Sequence, residues 1–273
     1  MLELHCHTTY SDGTLTPGEL VASAVEAGVK AIAITDHDTL SGWSEAIAAA
    51  AGFDLEIVPG VELSTVYNGR SLHILGFYPN KNKLYYPLKE RLEGRKRRAQ
   101  KIVNKLAELG CPVELPQMGE GIAPSRPHIA TALVKAGYVQ SSKEAFEKWL
   151  GDDKPAFVQY EKFSAEEGIK LLLNCEAIPV WAHPYLFRGG EVETVLKDLV
   201  AAGLLGIEVY HPHHSPQQIH HLESLCAEYG LLKTGGSDFH SPNSDIGLNQ
   251  LHLPLELLES LKQVRNHALP PTN

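Results

Sequence analysis

Short clusters of histidines and carboxylates are the feature of this sequence that most directly suggests chemistry. The 273-residue chain contains 14 histidines, and several stand beside an aspartate or a glutamate. Most of the clustered residues come at or just after the end of a short apolar run of the kind that forms a β-strand: His5, His7, Asp12, Asp36, His37, Glu62, His183, His211, Asp238 and His240. His73 lies within such a run. Side chains two residues apart in a strand face the same side, so His5 and His7 are predicted to point into one pocket.

Imidazole and carboxylate groups together predict a site for several divalent metal ions. This donor mixture suits manganese, iron, zinc or nickel, and the lack of paired cysteines argues against a structural zinc site. Six histidines and three acids exceed the needs of one ion, so two or three ions are expected, with a carboxylate such as Glu62 as a bridge. Ions about 3.5–4 Å apart can activate water and stabilise an in-line phosphoryl displacement, which predicts phosphoester hydrolysis. Each residue alone also has an ordinary explanation, such as a turn at Asp12 or a helix N-terminal charge at Asp36.

The elements that must position these residues alternate between strands and helices. Strands are predicted over 2–6, 31–35, 56–59, 72–77, 178–182, 206–210 and 231–234, with a hairpin at Asn68-Gly69 before the fourth. Capping boxes open helices after Thr16, Ser164 and Ser215. About seven β/α units favour a parallel sheet closed into a barrel, whose chemistry gathers at the carboxyl ends of the strands. An open, doubly wound sheet is the alternative.

A helical insertion is predicted over residues 79–156. Apolar residues from Leu88 to Leu109 recur at helical spacing, which predicts a long amphipathic helix that runs to Gly110. Two shorter helices are expected near 128–136 and 142–150. The barrel would therefore consist of residues 1–78 and 157–273.

Composition and charge exclude several classes of protein. With 24 basic and 33 acidic residues the net charge is −9, which argues against a nucleic-acid or membrane footprint over the whole surface. No apolar run approaches the roughly 20 residues of a membrane span, and the N-terminus lacks the pattern of a secretion signal. Four scattered cysteines suit reduced thiols, so we expect a cytoplasmic protein. No GxGxxG, GxxxxGK[ST] or GxSxG motif supports a nucleotide-binding loop or a serine hydrolase.

One basic stretch departs from this acidic background. Residues 89–105 contain eight lysines and arginines against two glutamates. The stretch is either the solvated face of the long helix or a track for a polyanion such as RNA.

The clustered motifs resemble those of the polymerase-and-histidinol-phosphatase (PHP) family, in the same order and over nearly the whole chain. They are Leu4-His5-Cys6-His7, Thr35-Asp36-His37-Asp38, Gly60-Val61-Glu62, His73-Ile74-Leu75-Gly76, Ala182-His183-Pro184 and Gly236-Ser237-Asp238-Phe239-His240. The resemblance implies a distorted (β/α)7 TIM-like barrel and three metal ions, with manganese favoured and iron(II), zinc or magnesium as alternatives. It assigns one ion to His5, His7, Glu62 and Asp238, a second to Glu62, His73 and His183, and a third to Asp12, His37 and His240. Asp36 has no ligand role in this scheme and is expected to orient or neutralise imidazoles.

The insertion is similar to that of family members that remove phosphate from nucleotides. The resemblance implies that Ser125, Arg126 and His128 contact substrate phosphate. Such members often carry an arginine two residues after the Ala-His-Pro proline, whereas this chain places Arg188 further on, as a replacement from a shifted position. His211 and His214 are expected either to touch substrate or to pack at the barrel mouth, and Asp36 and His211 are the candidate catalytic residues.

The function predicted from these observations is metal-dependent hydrolysis of nucleotide phosphate monoesters, such as 3′,5′-bisphosphate nucleosides, by a metal-bridging hydroxide. The alternatives are a 5′→3′ exoribonuclease that acts on short RNA and a histidinol-phosphate phosphatase. A degenerate PHP barrel that only binds ligands would show gaps among the metal ligands, and the sequence has none. The expected partner is a small phosphate ester or short RNA, without a membrane or an obligate protein partner.

Overall fold

The computed structural model describes residues 1–119, 122–159 and 163–268. The described residues form seven strands: β1 (Leu2–Glu3), β2 (Ala31–Ile34), β3 (Glu56–Tyr67), β4 (Arg70–Phe77), β5 (Ile178–Trp181), β6 (Gly206–Tyr210) and β7 (Leu232–Gly235). The α-helices are α1 (Pro17–Glu26), α2 (Trp43–Ala50), α3 (Lys81–Glu108), α4 (Arg126–Lys135), α5 (Ser142–Ala145), α6 (Ala165–Asn174), α7 (Val192–Ala201), α8 (Pro216–Tyr229) and α9 (Glu256–Ala268). A π-helical turn over Phe146–Leu150 continues α5, and a 3₁₀ turn over Pro184–Leu186 follows β5.

The strands form one sheet in chain order, from β1 to β7, and this sheet nearly closes into a barrel. The first and last strands approach each other beyond their regular ends. The His7 N–H donates to the Phe239 carbonyl at 2.9 Å, and the Leu4 N–H donates to the Gly235 carbonyl at 3.2 Å. The sequence-based prediction of a barrel with about seven strands is therefore correct, and the open sheet is excluded.

One strand departs from the otherwise parallel sheet, at the hairpin that the sequence predicted. β4 is antiparallel to both β3 and β5, while the other paired strands are parallel. The reason is the tight turn at Asn68 and Gly69, because a two-residue turn can join only antiparallel strands. β3 also extends to Tyr67 rather than ending near Pro59. Glu62 therefore lies inside a strand, opposite Leu75, and not just past a strand end as the sequence suggested.

Capping residues set the starts of several helices where the sequence predicted them. The side chains of Thr16, Ser164 and Ser215 each accept a hydrogen bond from the backbone of the first turn, and a glutamate or glutamine closes each box. Helix α9 was not predicted. It packs Leu257, Leu258 and Leu261 into a cluster with the apolar side chains of β1 and β2.

Helix α3 runs along the outside of the barrel from one end to the other. It starts beside the amino end of β5, where the Asn80 N–H donates to the Cys175 carbonyl at 2.7 Å. Its 28 residues give a length of about 42 Å. Arg91 and Arg95, in the middle of the helix, contact Asp38 after the carboxyl end of β2, so the helix reaches that end of the barrel.

The described residues between β4 and β5 form helices and loops, and they contain their own apolar cluster. Ile102 and Leu106 of α3 pack there with Ile129 and Leu133 of α4 and with Leu150. The predicted helical insertion (residues 79–156) therefore has an apolar cluster that holds its described helices together. Leu84 and Leu88, near the start of α3, pack instead with the apolar core of the barrel.

Two general features bear on the sequence analysis. All four cysteines are buried and unpaired. Among the described residues, no helix combines the length and the apolar character that crossing a membrane requires.

Candidate metal centre

The first group of candidate ligands converges at the rim formed by the carboxyl ends of the parallel strands, where β1 and β7 come together. His5 and His7 face the same side, as predicted, with ring centroids 5.2 Å apart. The Nε2 atoms of His5 and His7 lie 3.2 and 3.1 Å from Glu62 Oε2. The same two atoms lie 3.3 and 3.1 Å from Asp238 Oδ1. Four side chains from three parts of the chain thus present ligand atoms to one point.

A second group shares His7 with the first. Asp12 Oδ1 lies 3.2 Å from His240 Nε2, and Asp12 Oδ2 lies 3.7 Å from His37 Nε2. The rings of His7 and His240 are stacked with centroids 4.1 Å apart. His7, Asp12, His37 and His240 therefore form a second set that could hold an ion.

The third group uses the other oxygen of Glu62. Glu62 Oε1 lies 2.8 Å from His73 Nδ1 and 3.3 Å from His183 Nε2. Its Oε2 lies 3.2 Å from His37 Nδ1. Because Glu62 faces imidazoles with both oxygens, it has the position of a bridging ligand. All nine residues predicted as metal ligands are brought together at this rim.

The chemistry of these atoms fits divalent cations. Five of the ligand atoms are buried without a hydrogen-bond partner: His5 Nε2, His7 Nε2, Asp12 Oδ1, His73 Nδ1 and Asp238 Oδ1. Buried polar atoms normally have a partner, because leaving one unsatisfied costs about 1–3 kcal/mol. For bonds of about 2.1 Å, two ligands of one ion lie about 3.0–3.4 Å apart, which is the spacing seen around Glu62 Oε2.

The electrostatics of the cluster point to the same conclusion. Burial by itself raises the pKa of Glu62, but His37, His73 and His5 outweigh it and hold that pKa well below its usual value. Burial lowers the pKa of His7, but Asp238 and Glu62 outweigh it and raise the pKa to about 10. Without cations, a protonated His7 ring thus faces the carboxylates of Glu62 and Asp238. Metal ions can replace such a proton.

Two buried glutamates that sequence reasoning missed support the ligands from behind. Glu208 Oε1 lies 3.0 Å from His5 Nδ1, and its Oε2 accepts the backbone N–H of His183 at 2.8 Å. Glu3 accepts the backbone N–H of Ser237, next to Asp238, at 2.8 Å. Each glutamate interrupts an apolar strand, and this interruption is the signal that could have revealed them.

Two of the candidate ligands lie on strained backbone. His183 and Asp238 have positive φ values of 32° and 52°. Residues other than glycine rarely adopt this left-handed backbone conformation. Such strain persists where the surrounding structure imposes it. Glu208 accepts the N–H of His183, and Glu3 accepts the N–H of Ser237, the residue before Asp238, so these hydrogen bonds hold the strained turns in place.

Asp36 lies behind the loop that joins His7 to Asp12. Its carboxylate accepts hydrogen bonds from the Thr8 N–H at 2.7 Å, the Thr8 hydroxyl at 2.7 Å and the Ser11 hydroxyl at 2.6 Å. Ser11 Oγ in turn lies 3.3 Å from His7 Nδ1. Asp36 thus reaches His7 through Ser11.

The basic stretch on α3 does not form a uniform exposed track. Arg91 Nε and Arg95 Nη1 donate to the two oxygens of Asp38 at 2.7 and 2.9 Å. Burial raises the pKa of Asp38, but the two guanidinium groups outweigh it and lower that pKa to about 2. Arg98 also turns inward and donates to the Val158 carbonyl. Only part of the stretch, including Arg97, faces solvent.

The residues predicted to contact substrate phosphate lie at the start of α4. The Ser125 N–H donates to His128 Nδ1 at 3.1 Å, so the two residues close the first turn. Burial lowers the pKa of His128, and the charges of Asp12 and Arg95 act on it in opposite directions. His128 is thus near enough to the candidate ligand Asp12 for the charge of that carboxylate to act on it. Arg126 pairs with Asp152 of the same insertion at 2.9 Å.

The remaining predicted site residues differ in how close they are to the cluster. His211 Nε2 is buried without a hydrogen bond and lies 3.9 Å from Asp238 Oδ2. His214 donates from Nδ1 to the Val209 carbonyl at 2.9 Å, because that carbonyl can only accept. Burial and the nearby His211 lower the pKa of His214 to about 4. Arg188 is exposed, and the structure does not bring it into contact with the described ligands.

A barrel with this cluster of histidines and carboxylates at its rim is typical of one class of protein, and comparison with known proteins identifies the family. The PHP domain family matches residues 3–150, which is more than half of the chain. A 5′-3′ exoribonuclease of Haemophilus influenzae is 35% identical over 266 residues, or 95% of this chain and 96% of that protein. A 3′,5′-nucleoside bisphosphate phosphatase of Chromobacterium violaceum is 33% identical over 262 residues, or 90% of each chain. The chain belongs to the PHP family, as the motifs indicated.

A solved structure agrees with this assignment. A protein of Bifidobacterium adolescentis, described as a proposed metal-dependent phosphoesterase, superposes with a TM-score of 0.88 at 30% identity. The superposition covers 97% of this chain and 96% of that protein. The distorted barrel predicted from the sequence is therefore confirmed.

Proposed function

We propose that the protein is a metal-dependent phosphoesterase that removes phosphate from nucleotide-like monoesters, with 3′,5′-bisphosphate nucleosides as the leading substrates. The observation that carries this proposal is the bridging position of Glu62. Its two oxygens face different groups of imidazoles, which is the arrangement that a cluster of neighbouring ions requires. The phosphatase of Chromobacterium violaceum supports the choice of substrate.

We propose three ions, with manganese favoured and iron(II), zinc or magnesium as alternatives. The three overlapping groups of ligands support this number. Mixed imidazole and carboxylate donors suit manganese, iron or zinc better than magnesium, which prefers oxygen ligands. Ions bound in this way supply an activated water and positive charge for the phosphoryl oxygens.

The chain's own residues would orient the substrate against this cluster. Ser125, Arg126 and His128 lie at the N-terminus of α4, where backbone N–H groups and a guanidinium favour an anion. Arg126 would exchange its contact with Asp152 for a substrate phosphate. The two halves of the proposed site therefore come from the barrel and from the insertion.

The two histidines after β6 are suited to different tasks. His211 Nδ1 accepts the backbone N–H of His213 at 3.2 Å, so the neutral ring carries its proton on Nε2, beside Asp238. His211 could donate that proton to an oxygen of the substrate. His214 is neutral at pH 7 and its Nε2 is an acceptor, so it would bind a substrate hydroxyl rather than a phosphate oxygen. We propose Arg188, which is exposed, as a further contact for the substrate.

Hydrolysis of short RNA from the 5′ end is a second candidate. The exoribonuclease of Haemophilus influenzae, which matches 95% of this chain, favours it. Comparing a 3′,5′-bisphosphate nucleoside with a 5′-phosphorylated trinucleotide would separate the two activities. Histidinol phosphate is a less favoured substrate because the α4 segment resembles that of the nucleotide-specific members. The four unpaired cysteines support a cytoplasmic location.

A phosphate-release screen tests the proposal. The purified protein is assayed with nucleotides, sugar phosphates and histidinol phosphate, each with Mn²⁺, Mg²⁺ or Zn²⁺. We expect the highest turnover with a bisphosphate nucleoside, and its loss in His7→Ala and in Asp238→Ala. The exposed His220 is a matched control, and His220→Ala should keep full activity. Turnover that survives both metal stripping and the ligand substitutions would refute the proposal. Binding of the esters without any release of phosphate would refute it as well.

A further inference from the structure

A buried ion pair joins the helical insertion to the rim of the barrel. Asp38 follows the end of β2, and its carboxylate faces Arg91 and Arg95 of α3 at 2.7 and 2.9 Å. The Asp38 side chain is fully buried and Arg95 is 6% exposed. The Arg91 guanidinium also packs over the ring of Phe163 at 3.9 Å, so it is held on two sides.

Asp38 also contacts strand β3, which carries the candidate bridging residue Glu62. The Asp38 N–H donates to the Glu62 carbonyl at 3.0 Å. The Ser64 N–H donates to Asp38 Oδ1 at 3.3 Å, and Arg95 donates to Ser64 Oγ at 3.1 Å. Arg91 donates to the Ser64 carbonyl as well. The ion pair therefore contacts α3 on one side and the segment from Glu62 to Ser64 on the other.

Stability alone does not explain this pair. Replacing buried ion pairs by apolar side chains of similar size is often neutral or stabilising, so such pairs are better understood through the geometry they impose. Guanidinium groups are planar forks that fix the direction of a carboxylate. Two of them, one helical turn apart, leave α3 little freedom to slide or rotate against the rim.

We propose that Asp38 is a positioning residue that fixes the helical insertion in register with the metal centre, for substrates that must contact both. The inference rests on the proposed function, since it takes the start of α4 as the part that holds a second phosphate. A substrate with two phosphates needs the correct distance between insertion and metals. A small ester such as p-nitrophenyl phosphate needs only the metals.

Asp38→Asn is the direct test, because the amide keeps the acceptor for the Ser64 N–H and removes the charge that the arginines face. Misplacement by about 1 Å can cost about a hundredfold in rate. We therefore expect kcat/KM for a 3′,5′-bisphosphate nucleoside to fall about a hundredfold, and by at least about thirtyfold more than kcat/KM for p-nitrophenyl phosphate. Asp54→Asn, which breaks the exposed pair with Lys30, is the matched control and should change neither value.

Hydrogen exchange gives a second readout that does not depend on activity. In Asp38→Asn, amides of 122–135 should exchange faster, while those of α1 should be unchanged. If Asp38→Asn does not fold, Arg95→Lys takes its place, since it keeps the charge and loses the fork. Unchanged hydrogen exchange of the amides of 122–135 would overturn the proposal. An equal loss of kcat/KM for both substrates would also overturn it. If the wild type hydrolyses neither ester, the proposed function fails, and hydrogen exchange still decides whether Asp38 positions the insertion.

Discussion

Metal binding to the cluster should depend steeply on pH, because buried imidazoles must lose protons before they can act as ligands. The perturbation is a change of pH between 6 and 9 in protein from which metal has been removed. In that protein Asp238 and Glu62 raise the pKa of His7 to about 10, against the effect of burial. His5 is also raised well above its usual pKa, by Glu208, Asp238 and Glu62 acting against burial. The His7 ring thus keeps its proton over most of the range tested, and His5 keeps its proton to a higher pH than an ordinary histidine.

The magnitude follows from the number of protons displaced. Removing a proton from a group with a pKa of about 10 costs roughly 4 kcal/mol at pH 7, and each rise of one pH unit recovers about 1.4 kcal/mol. One displaced proton therefore gives a tenfold gain in metal affinity per pH unit, and two give about a hundredfold. The carboxylates do not contribute in this range, because the pKa values of Asp12, Glu62 and Asp238 lie well below their usual values.

Isothermal titration calorimetry with Mn²⁺ measures the metal affinity and the number of protons that binding releases. Titrations at several pH values give the affinity, and titrations at one pH in two buffers of different ionisation enthalpy give the number of protons released. We expect between one and two protons released at pH 7.5 and an affinity that rises toward pH 9. A Mn²⁺ affinity that is constant from pH 6 to 8, with no proton release, would refute the reasoning.

The raised pKa of His7 affects the stability of the metal-free protein in the opposite direction: metal affinity rises with pH, whereas this stability falls. The raised pKa of His7 contributes stability that is complete below its usual value of 6.5 and is lost as the pH rises through about 10. Urea unfolding of metal-free protein should therefore give a free energy that falls between pH 7 and pH 10, while saturating Mn²⁺ should reduce that fall.

Three further predictions concern single residues. In Gly13→Ala the new Cβ would lie 2.4 Å from the His7 carbonyl, so we expect Mn²⁺ affinity to collapse, whereas Gly18→Ala, with 3.7 Å of space, should bind normally. Asp36→Asn should lower metal affinity by about 10- to 100-fold in a titration, since it weakens support for His7, and an unchanged affinity would contradict that role. Leu106→Ala in the core of the insertion should lower the free energy of urea unfolding by about 2–5 kcal/mol; a loss below 1 kcal/mol would show that this core is loosely packed.

The position of the candidate site could be predicted because it depends on local signals. Strand ends are marked by apolar runs and by the polar residues that follow them, and a parallel barrel brings all such ends to one rim. His5, His7 and Asp238 were placed by this rule. Helix starts at Thr16 and Ser215 followed from capping boxes, which depend on only four consecutive residues.

What the sequence did not reveal depends on contacts between distant residues. Glu208 supports a candidate ligand 203 positions away; its interruption of an apolar strand marks it as unusual, but nothing local shows which residue its carboxylate contacts. Arg95 belongs to a basic stretch that suggested an exposed face, yet burial and Asp38 decide its direction. Glu62 was placed beyond a strand end because the extension of β3 depends on its pairing with β4.

The course of α3 has a consequence for how the family can diversify. None of the nine candidate ligands belongs to residues 79–156, and the long helix carries that segment up to the rim from outside. Under the proposed function, the contacts of Ser125, Arg126 and His128 with the substrate would therefore be encoded by a stretch of the gene separate from the candidate metal ligands. Exchanging residues 79–156 between relatives, with the arginine pair retained, should transfer preference for a leaving group without rebuilding the hydrolytic machinery.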